Sequence, residues 1–345
     1  MIINPLSVAT LTVDGLSLGL AATTAAGTLA MLPALGKSPS TGERLTLQEN
    51  RLYLLFWMGA VLLILRFVAW LLFYFTLHSF VPEIEGAMCI FGARNLLPTL
   101  TRVLELVKPL LFYLGLIWLV LFRFERFASR HDSGNRKGQS RVLSLLLFCS
   151  LVALADSGGS VWLWLQSSAE LAVSCCTTVT DIPDRFTVWV PQSIFGPVYS
   201  QLLWYLFFGT NLLLIGQILL CYRKSLTGAV STLYLLVLFV LGLLNSVVGL
   251  FAFIEVIAPR LMGLAFHHCL YCMVQTVADG PLLLALFVVG NFAVAACLPI
   301  RLLAVNWTQE EALNKGFQLL LFIGLSGVSG STIMVVAHLL AERIG

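Results

Sequence analysis

Apolar and polar positions along this chain separate into long blocks instead of alternating at short range. Seven apolar runs, approximately 52–77, 98–122, 142–166, 198–222, 229–256, 281–300 and 316–340, each reach the roughly 20 helical residues that span a hydrocarbon core. An eighth run, 5–35, is rich in Ala, Gly and Thr and carries Asp14. Small residues of this kind mark tight helix contacts and also marginal insertion. The pattern predicts an all-α integral membrane protein: a polytopic bundle of seven or eight transmembrane helices, one transmembrane domain over 1–345. Three connections, 80–97, 167–197 and 257–280, are expected to form an extracytoplasmic cap. The second and third exceed the usual length between bundle helices.

Composition removes the soluble alternative. Of 345 residues, 59% are hydrophobic and 11% charged, and the mean hydropathy is +0.94. That leaves too little polar surface to cover a water-facing globule. The net charge of +3 is too even to suggest a nucleic-acid partner. No basic residue precedes Lys37, so the N-terminus does not read as a cleaved signal peptide.

Where the charges sit sets the expected orientation. The connections 36–51, 123–141, 223–228 and 301–315 hold Lys37, Arg44, Arg51, Arg123, Arg126, Arg130, Arg136, Lys137, Arg141, Arg223, Lys224, Arg301 and Lys315. The alternate connections hold only Arg94, Arg185 and Arg260 against six acidic residues. Short cytoplasmic loops retain Lys and Arg, so the first set is expected inside, most simply in a bacterial cytoplasmic membrane. Trp162, Trp164 and Trp204 fall near predicted helix ends and read as interfacial aromatics.

Of eight cysteines, Cys149, Cys221 and Cys297 lie within predicted helices and read as packing groups. The other five, Cys89, Cys175, Cys176, Cys269 and Cys272, all fall in the three outer connections. The strongest local motif is His267-His268-Cys269-Leu270-Tyr271-Cys272, whose C-x-x-C spacing puts two sulfurs on one side of a helical turn. Adjacent imidazoles favour a thiolate, the nucleophilic and metal-binding form. A structural disulfide is the plainest reading, yet five is odd and the neighbours Cys175 and Cys176 bond to each other only with strain.

Two sharper readings use the same residues. In one, Cys269 and Cys272 exchange a disulfide with Cys89, Cys175 and Cys176 and pass electrons to a membrane quinone. This layout resembles membrane thiol oxidoreductases of the vitamin K epoxide reductase and DsbB type, which pair a membrane-edge C-x-x-C with cysteines in a second outer loop. The resemblance covers Cys269 and Cys272 alone, on a chain with about twice as many helices. In the other reading, Cys269, Cys272, His267 and His268, with His78 as a further candidate, hold copper, zinc or iron.

Charges are also expected inside the membrane. Arg66 and Asp156 fall at similar depth in their helices, Lys108 is mid-segment, and Arg102, Glu105 and Lys108 follow at three-residue spacing. A charge at the bilayer centre costs about 2.5–3.5 kcal/mol, so such groups should turn inward and pair. The expected pairs are Arg66 with Asp156, and Glu105 with Lys108 or Arg66. They form either a register-fixing network or a polar pocket for a quinone head group or a proton path. Asp156-Ser157-Gly158-Gly159-Ser160 reads as a loosened stretch that admits close approach. Gly324 to Ser331 reads as a tight helix contact.

No Walker motif, dinucleotide fingerprint, H-E-x-x-H or nucleophile elbow occurs, which argues against ATP hydrolysis and serine hydrolase chemistry. The leading expectation is a membrane redox protein whose outer Cys/His cluster handles thiols or electrons, with a lipid-soluble carrier near Arg66, Lys108, Glu105 and Asp156. The alternatives are a soft-metal binding or translocating protein, and a non-catalytic subunit of a membrane complex with structural disulfides. Expected partners are membrane lipid, a quinone and an extracytoplasmic redox or metal-carrying protein.

Overall fold

The structure, a computed structural model, describes residues 2–35, 42–129, 136–168, 173, 180–182, 185–304 and 306–344. Eight of its helices are long and apolar enough to cross a membrane, and the described residues contain no strand. The first apolar run is one of these eight, as the helix Pro5–Leu35. The chain divides into two compact units, Met1–Ser174 with Leu303–Gln309, and Cys175–Leu302 with Glu310–Gly345.

The first unit contains α1 (Pro5–Leu35), α2 (Gly42–Phe80), the short α3 (Ile90–Arg94), α4 (Pro98–Ser129) and α5 (Arg136–Gln166). α1 packs against both α5 and α2. Its buried positions, Ser7, Thr10, Asp14, Ser17, Ala21, Thr24, Thr28 and Met31 among them, recur every three or four residues, the period of one helix face. Except for Asp14 and Met31 they are small or hydroxylated, which brings backbones close where lipid gives helices no hydrophobic reason to associate. The hydroxyls return to carbonyls one turn back, as Thr24 does to Leu20 at 2.7 Å. Thr10 and Thr76 link α1 to α2 at 2.6 Å. The Gly158-Gly159 stretch of α5 stays helical; it admits neighbours without loosening. A Cβ on Gly159 would stand 3.0 Å from Leu104 of α4.

The second unit contains α6 (Phe186–Phe195), α7 (Tyr199–Thr227), α8 (Thr232–Ala252), the short α9 (Ala258–Met262) and α10 (Leu270–Thr276), α11 (Gly280–Ala304) and α12 (Glu310–Ile344). α7 packs on α8 and α12. Its core stacks Phe207, Phe253 and Phe287, with Phe253 and Phe287 edge to face at 5.1 Å. Gly249 makes room: a Cβ there would meet the Phe287 ring at 2.2 Å. α11 and α12 touch through glycine. A Cβ on Gly290 would lie 2.7 Å from the Val328 amide, and one on Gly327 2.6 Å from the Leu286 carbonyl. The small-residue stretch of the last helix is therefore a tight helix contact.

One boundary differs from the sequence pattern. The sixth apolar run continues past residue 256 through a π-helical turn, Phe253–Ile257, into α9. Pro259 carries no amide hydrogen for the Glu255 carbonyl four residues back, and its ring would crowd that oxygen. Widening the turn relieves the clash without ending the helix. Gly263, at φ +65°, then closes it, donating its amide to Arg260 at 3.0 Å; this left-handed conformation suits glycine.

Candidate functional site

In the first unit, four ionisable side chains from four helices meet in the interior. Arg66 of α2 donates through Nη1 to Asp14 of α1 at 2.7 Å and to Ser157 of α5 at 2.9 Å. Its Nη2 donates to Asp156. Lys108 of α4 donates to the other Asp156 oxygen at 2.9 Å and to Ser160 at 3.0 Å, and its ammonium stands 4.5 Å from the Phe73 ring centroid. Trp164 donates its indole N–H to Asp14 at 3.0 Å. All four charged side chains are buried, and two carboxylates balance two cations. Balance is what a low-dielectric interior demands, since an unpaired charge there costs several kcal/mol.

Arg66 thus pairs with Asp156, and the second pairing takes a different form from the one the sequence suggested. Glu105 reaches Arg94 of α3 at 3.4 Å, and Lys108 turns to Asp156. Arg102 is exposed, so the three-residue stripe does not face inward as a whole. Trp164 is buried beside Phe73 and Phe80 and is no interfacial aromatic, whereas Trp162 is exposed. Sequence reasoning did not assign Asp14 a partner.

A cavity of about 480 Å³ adjoins this network, bounded by α2 and α4. Arg66, Lys108 and Asp156 line its polar end, and Leu63, Ile64, Phe67, Leu111, Phe112 and Leu119 its apolar walls.

In the second unit, the cysteine motif sits on a scaffold of ion pairs. Cys269 is the N-terminal flanking residue of α10, and Cys272 lies within it. The backbone there is extended at Cys269 and helical from Leu270, which brings the two sulfurs within 4.8 Å of one another. Cys269 is buried and Cys272 half-buried. His267 Nδ1 lies 3.0 Å from Asp181, and His268 Nδ1 lies 3.3 Å from the Ile254 carbonyl and 3.7 Å from Glu255. Engaging Nδ1 in this way fixes each ring and directs any ligand to Nε2. Arg185 clamps Glu255 through two hydrogen bonds, 2.9 and 2.6 Å, and so the π-turn that carries Glu255 is anchored beneath the motif.

These neighbours set the protonation of the motif's surroundings. Burial, helped by the Arg185 cation, pushes His268 below the ordinary imidazole range against the pull of Glu255. Asp181 is held below the usual carboxylate range: burial opposes this, but hydrogen bonds from His267 and Thr180 prevail. His268 is therefore neutral at physiological pH, the form that binds a metal.

Cys89, in the first unit, is buried as the residue that precedes α3, and His78 is exposed near the end of α2. Cys175 and Cys176 lie outside the described residues. Cys149, Cys221 and Cys297 are buried within helices.

Fold and hydropathy together define an all-α, integral, multi-pass membrane protein with a cysteine pair suited to a metal ion. No protein-family model, curated protein or solved structure matches the chain.

Proposed function

We propose that this membrane protein binds a soft metal ion, copper(I) or zinc, through the thiolates of Cys269 and Cys272, with the His267 and His268 imidazoles as neighbouring ligands. The observation that carries the reading is the approach of the two sulfurs within 4.8 Å of one another; the two histidines that precede them in sequence have their Nδ1 atoms already engaged, by Asp181 and by the Ile254 carbonyl. Thiolate with imidazole is the donor set that soft and borderline metals select. Metal binding would release the thiol protons and fix α10 against its loop.

Thiol–disulfide chemistry at the same pair is the second reading. It is favoured by the C-x-x-C spacing and by the half-exposure of Cys272, the member of the pair that a partner thiol can reach. Two thiols would yield one disulfide, two protons and two electrons, the electrons going to a membrane quinone or to a partner disulfide. The basic residues gathered in the connections 36–51, 123–141, 223–228 and 301–315 support placing this motif on the non-cytoplasmic side of a bacterial cytoplasmic membrane.

Metal analysis and thiol counting on the purified protein, with and without reductant, separate the readings. One copper or zinc per chain, lost in Cys269→Ser and Cys272→Ser, supports metal binding. A metal-free pair that cycles between two thiols and none supports the redox reading. An inert disulfide with no metal defeats both. Cys89→Ser tests the sequence-based expectation that Cys89 belongs with the pair: retained stoichiometry removes it.

A further inference from the structure

The cavity of the first unit is lined by none of the residues of the cysteine motif and owes nothing to the proposal above. From its chemistry we infer that it binds an uncharged, lipid-soluble molecule bearing a carbonyl oxygen, with the oxygen at the Arg66 and Lys108 end and the apolar body between α2 and α4.

A donor count leads there. A guanidinium carries five N–H groups. Arg66 spends two on Asp14 and Ser157 and one on Asp156. Its Nε is buried and has no acceptor, although its side chain is only 3% exposed. Buried donors are seldom left in this condition, because the desolvated N–H has given up its water without a replacement. The donor belongs to a residue that lines the cavity. An acceptor supplied by a ligand would satisfy it.

The charge count excludes an anion. Asp14 and Asp156 already neutralise Arg66 and Lys108, so a carboxylate or phosphate arriving here would add an uncompensated buried charge. A carbonyl supplies the acceptor without the charge. The walls select an apolar body: Leu63, Ile64, Phe67, Phe112 and Leu119 line them. Ile64, Phe67 and Leu119 are themselves exposed, so the cavity borders the surface that faces lipid, and a molecule dissolved in the bilayer can reach it. About 480 Å³ falls within the range of small-molecule sites.

The test uses full-length protein in lipid nanodiscs, empty nanodiscs as the blank, and tritiated octanophenone as the probe. Nonylbenzene serves as a competitor of equal size that lacks the carbonyl, and palmitate as the anionic one. One saturable site per chain is expected. Nonylbenzene should compete at least about tenfold more weakly than unlabelled octanophenone, the factor that a lost hydrogen bond to a charged donor implies. Palmitate should do no better. Ala60 also lines the cavity, and Ala60→Phe, which fills it, should abolish binding with the melting temperature unchanged; Leu119→Trp, at an exposed wall position, gives an independent block that spares the interior. Absence of saturable binding, equal competition by nonylbenzene, stronger competition by palmitate, or binding that survives both blocking variants would overturn the inference.

Discussion

The two units close their interiors by different polar chemistry. The first uses four charges, Asp14, Arg66, Lys108 and Asp156. The second uses neutral amides: Asn245 of α8 donates to Asn211 of α7 at 3.3 Å and to Asn291 of α11 at 3.1 Å, and accepts from Thr210 at 2.8 Å. Asn211 and Asn291 then return their own amide hydrogens to the carbonyls of Phe207 and Phe287, at 2.7 and 2.8 Å. The amide network is self-contained, because an amide has as many acceptors as donors and can spend both within its own helices. A guanidinium has only donors, and its partners are fixed by charge; once two carboxylates are satisfied, donors remain. A network built from charges therefore has capacity left for something else. Such a network also fails differently when a member is lost.

The largest expected effect comes from removing one anion. Asp156→Ala leaves Arg66 and Lys108 facing each other with only Asp14 to compensate, and loss of one partner from a buried pair costs about 3–5 kcal/mol. Thermal unfolding in detergent should show a large fall, or the folded yield should collapse. Asp156→Asn, which keeps the shape and loses the charge, should be little better. A loss confined to that of a neutral hydrogen bond would show that water already screens the cluster and that the two networks are alike.

Breaking the amide network should cost less. Asn245→Leu keeps the volume and removes the donors to Asn211 and Asn291 and the acceptor of Thr210. Polar contacts between membrane helices are worth about 0.6–1.7 kcal/mol each, because the unfolded chain in lipid also finds partners. A destabilisation of about 1–2 kcal/mol is expected in the same unfolding measurement, clearly below that of Asp156→Ala. An equal or larger effect would show that the distinction between charged and neutral networks fails here.

The sequence carried the helices in full and the sites in part, for definite reasons. Long apolar runs are a strong signal because hydrocarbon thickness sets their length, and all eight appear as helices. Arg66 and Asp156 were legible as a pair, being opposite charges at similar depth. Asp14 lay in the most weakly apolar run, where a charge reads as a sign of poor insertion. A charge balance could have found it: two buried cations against Asp156 alone require a second acid, and Asp14 stands well inside another candidate helix. Spacing and depth offer Glu105 to Lys108 or Arg66, but neither says anything about Arg94 on α3. The asparagines also carried a signal, one asparagine in the interior of each of three apolar runs. The π-turn had a weaker one, a proline four residues after Glu255. Nothing local marks Trp164 as a ligand of Asp14, since that contact depends on how α1 and α5 pack.

The smallest effect calibrates the others. Glu311 and Lys315 of α12 form an ion pair of the same charge types at 2.7 Å, on one face of the helix. Both side chains are more than two thirds exposed, at 76% and 71%. Water then weakens the attraction, salt screens it further, and ordering two long side chains offsets what remains. Lys315→Ala should leave the unfolding temperature unchanged within error at physiological salt. Distance and chemistry nearly match the Lys108–Asp156 pair, so a null result here beside a severe one at Asp156 isolates burial as the cause. A loss at Lys315 comparable to that of Asn245→Leu would mean that proximity alone sets the strength of these pairs, and the contrast between the units would then rest on contact number instead of on charge in a dry interior.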